Sequence, residues 1–158
     1  MKKLICLILT MAGIAAFVYA PPTSTAASTD RTITGIAAGS FPGGASFAGV
    51  DLNSFEIATG VITDADGAAA GVFHAELAGR SLLGTARSIT LEGTVMQGTA
   101  ASGSGSFSGL ASLDLGDGVP AVSGIPFNVE TNAGSMVLTI HSTVLPSAAL
   151  TRGSVDIE

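Results

Sequence analysis

Two short segments hold the densest chemistry in the 158-residue sequence: Asp64-Ala65-Asp66-Gly67 and Asp114-Leu115-Gly116-Asp117-Gly118. Each places carboxylates two or three residues apart in a glycine turn, where side-chain and backbone oxygens can gather around Ca²⁺. Asp64, Asp66, Asp114 and Asp117 are therefore the candidate calcium ligands, for a weak site at most. A full calcium loop needs more oxygens, usually a third acid and a distal Glu, and neither segment supplies them. The same residues also make ordinary β-turns, because Asp bonds nearby backbone N–H groups and Gly accepts positive φ. No other cofactor is expected.

His74 and His141 are the only histidines. Both fall on the polar side of expected strands, and a zinc site would need them to converge with an acid. No Gly-x-Ser-x-Gly elbow occurs. Gly44-Ala45-Ser46-Phe47-Ala48 departs at its last position and leads into no helix. Ala100-Ala101-Ser102-Gly103-Ser104-Gly105-Ser106 resembles a phosphate loop in composition alone, with no Lys after it. Catalysis is not expected, a hydrolase with an unassigned site being the remote alternative. A formal charge of −6, with no basic cluster beyond the N-terminus, excludes nucleic acid as a partner.

The chain start reads as an export signal. Met1-Lys2-Lys3 is positive, Leu4 to Val18 is apolar with Thr10 and Gly13 as interruptions, and Val18-Tyr19-Ala20 suits a signal peptidase. Residues 1–20 are thus the expected signal peptide. Pro21 after the scissile bond makes cleavage near Ala26-Ala27 the alternative. After cleavage no stable membrane span is expected, and the protein goes to the periplasm or the exterior. Both lysines and the sole Cys and Tyr leave with the signal, so no disulfide can form. Four arginines then stand against all twelve acids.

The elements that would position these groups are strands. Residues 21–30 form a Pro/Thr/Ser leader, and residues 31–158 form one domain. Ile89, Leu91 and Val95 share one face and Ser88, Thr90, Glu92 and Thr94 the other, the period of a half-wet strand. Ile125, Phe127 and Val129, the turn Asn132-Ala133-Gly134, then Met136, Leu138 and Ile140 predict a β-hairpin. Val155 and Ile157 alternate at the C-terminus. Further strands are predicted at 31–36, 45–52, 55–59, 71–78 and 105–115. Over 71–78 the alternation of Phe73, Ala75 and Leu77 outweighs the helix-like Ala68-Ala69-Ala70 and the Glu76–Arg80 spacing. About nine short strands predict an all-β antiparallel sandwich or small barrel. With 21 glycines and 5% aromatics, a thin interior without a roomy ligand cavity is expected.

Phe107–Leu115, Gly116-Asp117-Gly118-Val119-Pro120, Ile125-Pro126-Phe127, Leu145-Pro146 and Leu150–Ile157 follow an order that resembles the short exported bacterial β-domains called post-COAP-1. The resemblance covers about the C-terminal third. It implies a bacterial exported β-domain and assigns no catalytic residue. Taken together, the expected protein is a non-catalytic extracytoplasmic binding module for a cell-surface polymer or protein partner. The alternative is a self-associating structural subunit of an extracellular layer or fibre, joined through strand edges.

Overall fold

The computed structural model describes Asp30–Glu158 except Ala133. The signal-peptide reading and the leader before Asp30 lie outside the described residues. Ten strands follow one another: β1 Arg31–Ser40, β2 Ser46–Phe47, β3 Val50–Thr63, β4 Ala68–Ser81, β5 Ala86–Ala101, β6 Ser104–Asp114, β7 Val122–Asn132, β8 Ser135–Ile140, β9 Thr143–Val144 and β10 Ala148–Ile157. All pairings are antiparallel, in the order β1-β10-β8-β7-β6-β5-β4-β3. A further β1–β3 ladder from Arg31↔Thr63 to Ser40↔Ser54 joins the ends of this row. The sheet therefore closes into an eight-stranded up-and-down barrel, with β2 on β3 and β9 on β8 as short additions. The all-β expectation holds, and of sandwich and barrel the molecule is the barrel.

Most strands are longer than the sequence suggested. The segments expected at 45–52 and 55–59 become β2 and the continuous β3, whose register shifts between Leu52 and Ser54. The contested 71–78 segment lies within β4, with Phe73, Ala75 and Leu77 buried. The predicted hairpin forms as β7 and β8. Asn132 Oδ1 accepts bonds from the backbone N–H of Gly134 and Ser135 at its turn.

The bore is filled, which corrects the expectation of a thin interior. Five phenylalanines are buried: Phe41, Phe55, Phe73, Phe107 and Phe127. Phe73 stacks on Phe127 at 5.5 Å between centroids and meets Phe107 edge-on at 5.4 Å. Inward glycines make the space for them. A Cβ on Gly93 would lie 2.6 Å from Phe127 Cε1. A Cβ on Gly105 of β6 would lie 2.6 Å from Cδ1 of Ile33, which projects from β1 on the opposite wall of the ring. A side chain from one wall thus reaches the backbone of the other. Eight strands leave a bore that side chains can just fill, in alternating small and large positions. The strands of the described residues close the ring among themselves and enclose one buried apolar cluster.

Polar residues such as Thr34, Glu56, Glu76, Glu92 and Thr94 face outward. This is the reverse of a lipid-facing barrel, which is apolar outside and polar within. Among the described residues, no helix is long and apolar enough to cross a membrane.

Two substitutions test this packing by urea unfolding followed by circular dichroism. Gly93→Val drives methyls into the Phe127 ring and is expected to cost about 1–3 kcal/mol, as overpacked cores do. Thr59 has a buried hydroxyl with no partner among the described residues. Thr59→Val keeps the shape and removes that group, so it is expected to stabilise by about 1 kcal/mol.

Candidate functional site

Hairpin connectivity sorts the loops between two ends of the barrel. The β3–β4, β5–β6 and β7–β8 turns share one end with Asp30 and Glu158. The β1–β3 connection, the β4–β5 turn, the β6–β7 loop and the β8–β10 connection share the other. The two Asp-Gly segments therefore lie at opposite ends. Asp114 stands opposite Thr90 of β5, whereas Ala68, after the first segment, stands opposite Gln97. At a strand rise of about 3.4 Å per residue, these levels are roughly 24 Å apart along β5.

The carboxylates of Asp64, Asp114 and Asp117 each serve their own turn, and Asp66 takes part through its backbone N–H. Asp64 Oδ1 accepts from the backbone N–H of Asp66 and of Ala68, both at 2.9 Å. Asp114 Oδ1 accepts from Gly116 N at 2.8 Å, and Asp117 Oδ1 from Val119 N at 2.9 Å. These are Asx turns that hold the chain reversal through a side-chain acceptor. No group of three or more His, Cys, Asp or Glu side chains comes together among the described residues.

The histidines stay apart as well. His74 lies on the outer face of β4, its Nδ1 4.0 Å from Glu92 Oε1 on β5. His141 was expected on the polar face of a strand but lies just beyond β8 with φ of 55°. It takes the left-handed conformation that turns the chain toward β9, and its N–H donates to Pro126 O at 2.7 Å.

A wide, open concavity on the outer wall is one the sequence did not point to. On the outer wall, Ile36, Ala58, His74, Glu92 and Ser112 fall side by side across β1, β3, β4, β5 and β6. The next row holds Thr34, Gly60, Val72, Thr94 and Leu110. Ala58 and Gly60 leave a gap in this wall, and the groove over it measures about 710 Å³. A Cβ on Gly60 would meet no atom within 4 Å. Ile36 and Val72 flank the gap at 76% and 66% exposure, and Glu92 lies at its rim. Most wet-face positions elsewhere are polar, so an apolar gap on the outside stands apart from its surroundings. The available sequence signal was weak: Ile36, Ile62 and Val72 are large apolar residues on the wet side of their strands.

A second cleft of about 380 Å³ crosses β5 to β8 and is lined by hydroxyl, amide and carboxylate groups, among them Thr99, Ser106, Asn132 and Glu130. Thr99 and Ser106 bond each other across the strands at 3.1 Å.

No family model, curated protein or solved structure matches the chain. The resemblance of its C-terminal third to post-COAP-1 domains rests on the residues quoted for it.

The Asx geometry makes a specific prediction. Asp64→Ala removes two bonds to the turn and is expected to lower stability by about 1 kcal/mol, whereas Asp64→Asn keeps the acceptor and leaves it nearly unchanged. Thermal unfolding with and without millimolar calcium reads both effects. A calcium-dependent loss shared by both variants would assign the carboxylate to an ion rather than to the turn.

Proposed function

We propose that this protein is an exported, non-catalytic binding module whose recognition site is the outer-wall groove over Gly60, and that its ligand is an apolar side chain presented by a protein partner. The observation that carries this reading is the broad gap that Ala58 and Gly60 leave in the outer wall, flanked by the exposed Ile36 and Val72. The filled bore supports it, because a core packed from wall to wall leaves recognition to the outer surface. The export signal at 1–20 puts the partner outside the cytoplasm. The mixed walls of the groove favour a protein over a polysaccharide. Ile36, Ala58 and Val72 offer apolar contact and Glu92 a rim charge, while among the described residues lining the groove the one aromatic, Phe73, is buried and offers no face for a sugar ring to stack on.

The test is an NMR titration of the chain freed of residues 1–20 with N-acetyl-leucinamide. Shifts are expected at Ile36, Ala58, Gly60 and Val72, with weak millimolar saturation. Gly60→Val fills the gap without steric conflict and is expected to abolish them while the barrel stays folded. Shifts confined to the Phe73–Phe107–Phe127 core, or none at the groove, would overturn the reading.

A further inference from the structure

The exposed apolar residues outside this wall collect at one end of the barrel. Leu82 and Leu83 form the tip of the β4–β5 turn at 85% and 94% exposure, the most exposed large apolar side chains among the described residues. The tip is tightly built. Gly84 N donates to Ser81 O at 2.8 Å, and Gly84 itself has φ of +78°. Arg80 Nη1 donates to Gly84 O at 3.0 Å, and Arg87 Nη1 bonds Gly116 O in the neighbouring loop. Two adjacent leucines are thus held out on a braced turn with an arginine on each side.

The groove offers the converse features. Gly60 and Ala58 leave space between Ile36 and Val72, and one carboxylate, Glu92, stands at the rim. Glu92 lies 4.0 Å from His74, and neither Arg80 nor Arg87 has a carboxylate within ion-pair distance among the described residues. An apolar tip flanked by two arginines thus has its counterpart in a gap between Ile36 and Val72 with the Glu92 carboxylate at its rim.

We infer that the occupant of the groove is a second copy of this chain, which inserts its Leu82-Leu83 tip over Gly60 with Arg80 and Arg87 against the acidic rim. The inference rests on the groove reading given above and names its partner. Tip and groove lie on different parts of the molecule, the first at a barrel end and the second on the wall. The contact is therefore heterologous: each copy keeps one unused tip and one unused groove, and association continues into an open chain or closes into a ring. This form of assembly needs no free strand edge, which barrel closure has largely removed.

The test uses two variants of the chain freed of residues 1–20, followed by light scattering with refractive-index detection up to about 1 mM, the range of weak contacts. Leu82→Asp/Leu83→Asp removes the tip at positions that are already solvent-exposed. Gly60→Val fills the groove at a position where a Cβ meets nothing within 4 Å. The native chain is expected to grow in mass with concentration, and each variant alone to remain monomeric. Mixed in equal amounts, the two variants are expected to form dimers and nothing larger, since one supplies the only groove and the other the only tip. Monomeric native chain at every concentration would overturn the inference, as would association that persists in either variant or a mixture that stays monomeric. If N-acetyl-leucinamide still shifts the groove residues in those cases, the groove reading stands and the second copy is excluded as its occupant.

Discussion

Closing eight strands on a bore that must be filled governs the rest of this structure. An eight-stranded ring encloses room for side chains and little else. The chain meets that limit by pairing rings with absences: Phe127 lies over Gly93, Phe55 over Gly39, and Ile33 reaches Gly105 across the barrel. At Gly71 and Gly109 an added Cβ would fall within 2.1 Å and 2.0 Å of carbonyl oxygens on adjoining strands, so the walls themselves bend where side chains are missing. Small residues here let the strands coil tightly and let five phenylalanines share one narrow core. Without disulfides, that packing bears the stability of the domain.

Closure also decides how such a molecule can touch another. Strand edges are the usual route by which β-proteins join, and the assembly reading of the sequence leaned on them. Here the ladders run round the ring, β2 covers the upper part of β3, and β9 covers β8. The seam between β8 and β10 is short, with Ala148↔Met136 and Ala149↔Ser135 as its only pairs. Among the described residues, the β8-facing side of β10 beyond Ala149 is the longest edge left without a strand partner. Its run is broken at Gly153, where φ is +73°, and a register shift faces Ala38 and Gly39 of β1. A bulged, twisted edge of this kind is poorly suited to templating another strand. Contacts made by side chains on the wall and at the loops are what closure leaves.

Much of the fold was legible where polar and apolar residues alternate without interruption. Ser88–Val95, Ile125–Glu130 and Met136–Ile140 all lie in the strands predicted for them, and Asn132 makes the turn its side chain suggests. Strand lengths were harder to read because inward positions held by Gly35, Gly39, Gly93, Gly105 and Gly109 break the apolar period. In space these positions are covered by a ring or a neighbouring strand, but the local sequence carries no trace of that cover. The thin-interior expectation failed for the same reason: counting aromatics missed that five phenylalanines among the described residues are buried in one core. The groove was illegible because its parts come from five separated stretches around residues 36, 58–60, 72–74, 92–94 and 112. Only strand register brings them together, and register is set by hairpins distributed along the whole chain. The Asp-Gly turns had the opposite character, conspicuous locally and placed by the topology at opposite ends.

The strength of a tip-to-groove contact follows from its size. Burying two leucines contributes about 3–6 kcal/mol, near the lower bound of the about 4–15 kcal/mol that association costs in lost freedom. One contact therefore holds two copies together weakly, and the formal charge of −6 opposes their approach at low ionic strength. Local attraction between Arg80, Arg87 and the acidic rim acts at short range, so added salt screens the long-range repulsion before it removes the pairing. A dilute solution would then hold monomers, while a crowded surface would favour chains of copies, each contact adding about the same small increment. Two leucines held out on a braced turn cost the isolated barrel apolar exposure that nothing in its own packing offsets. In the proposed assembly, burial against the wall of a second copy would recover it.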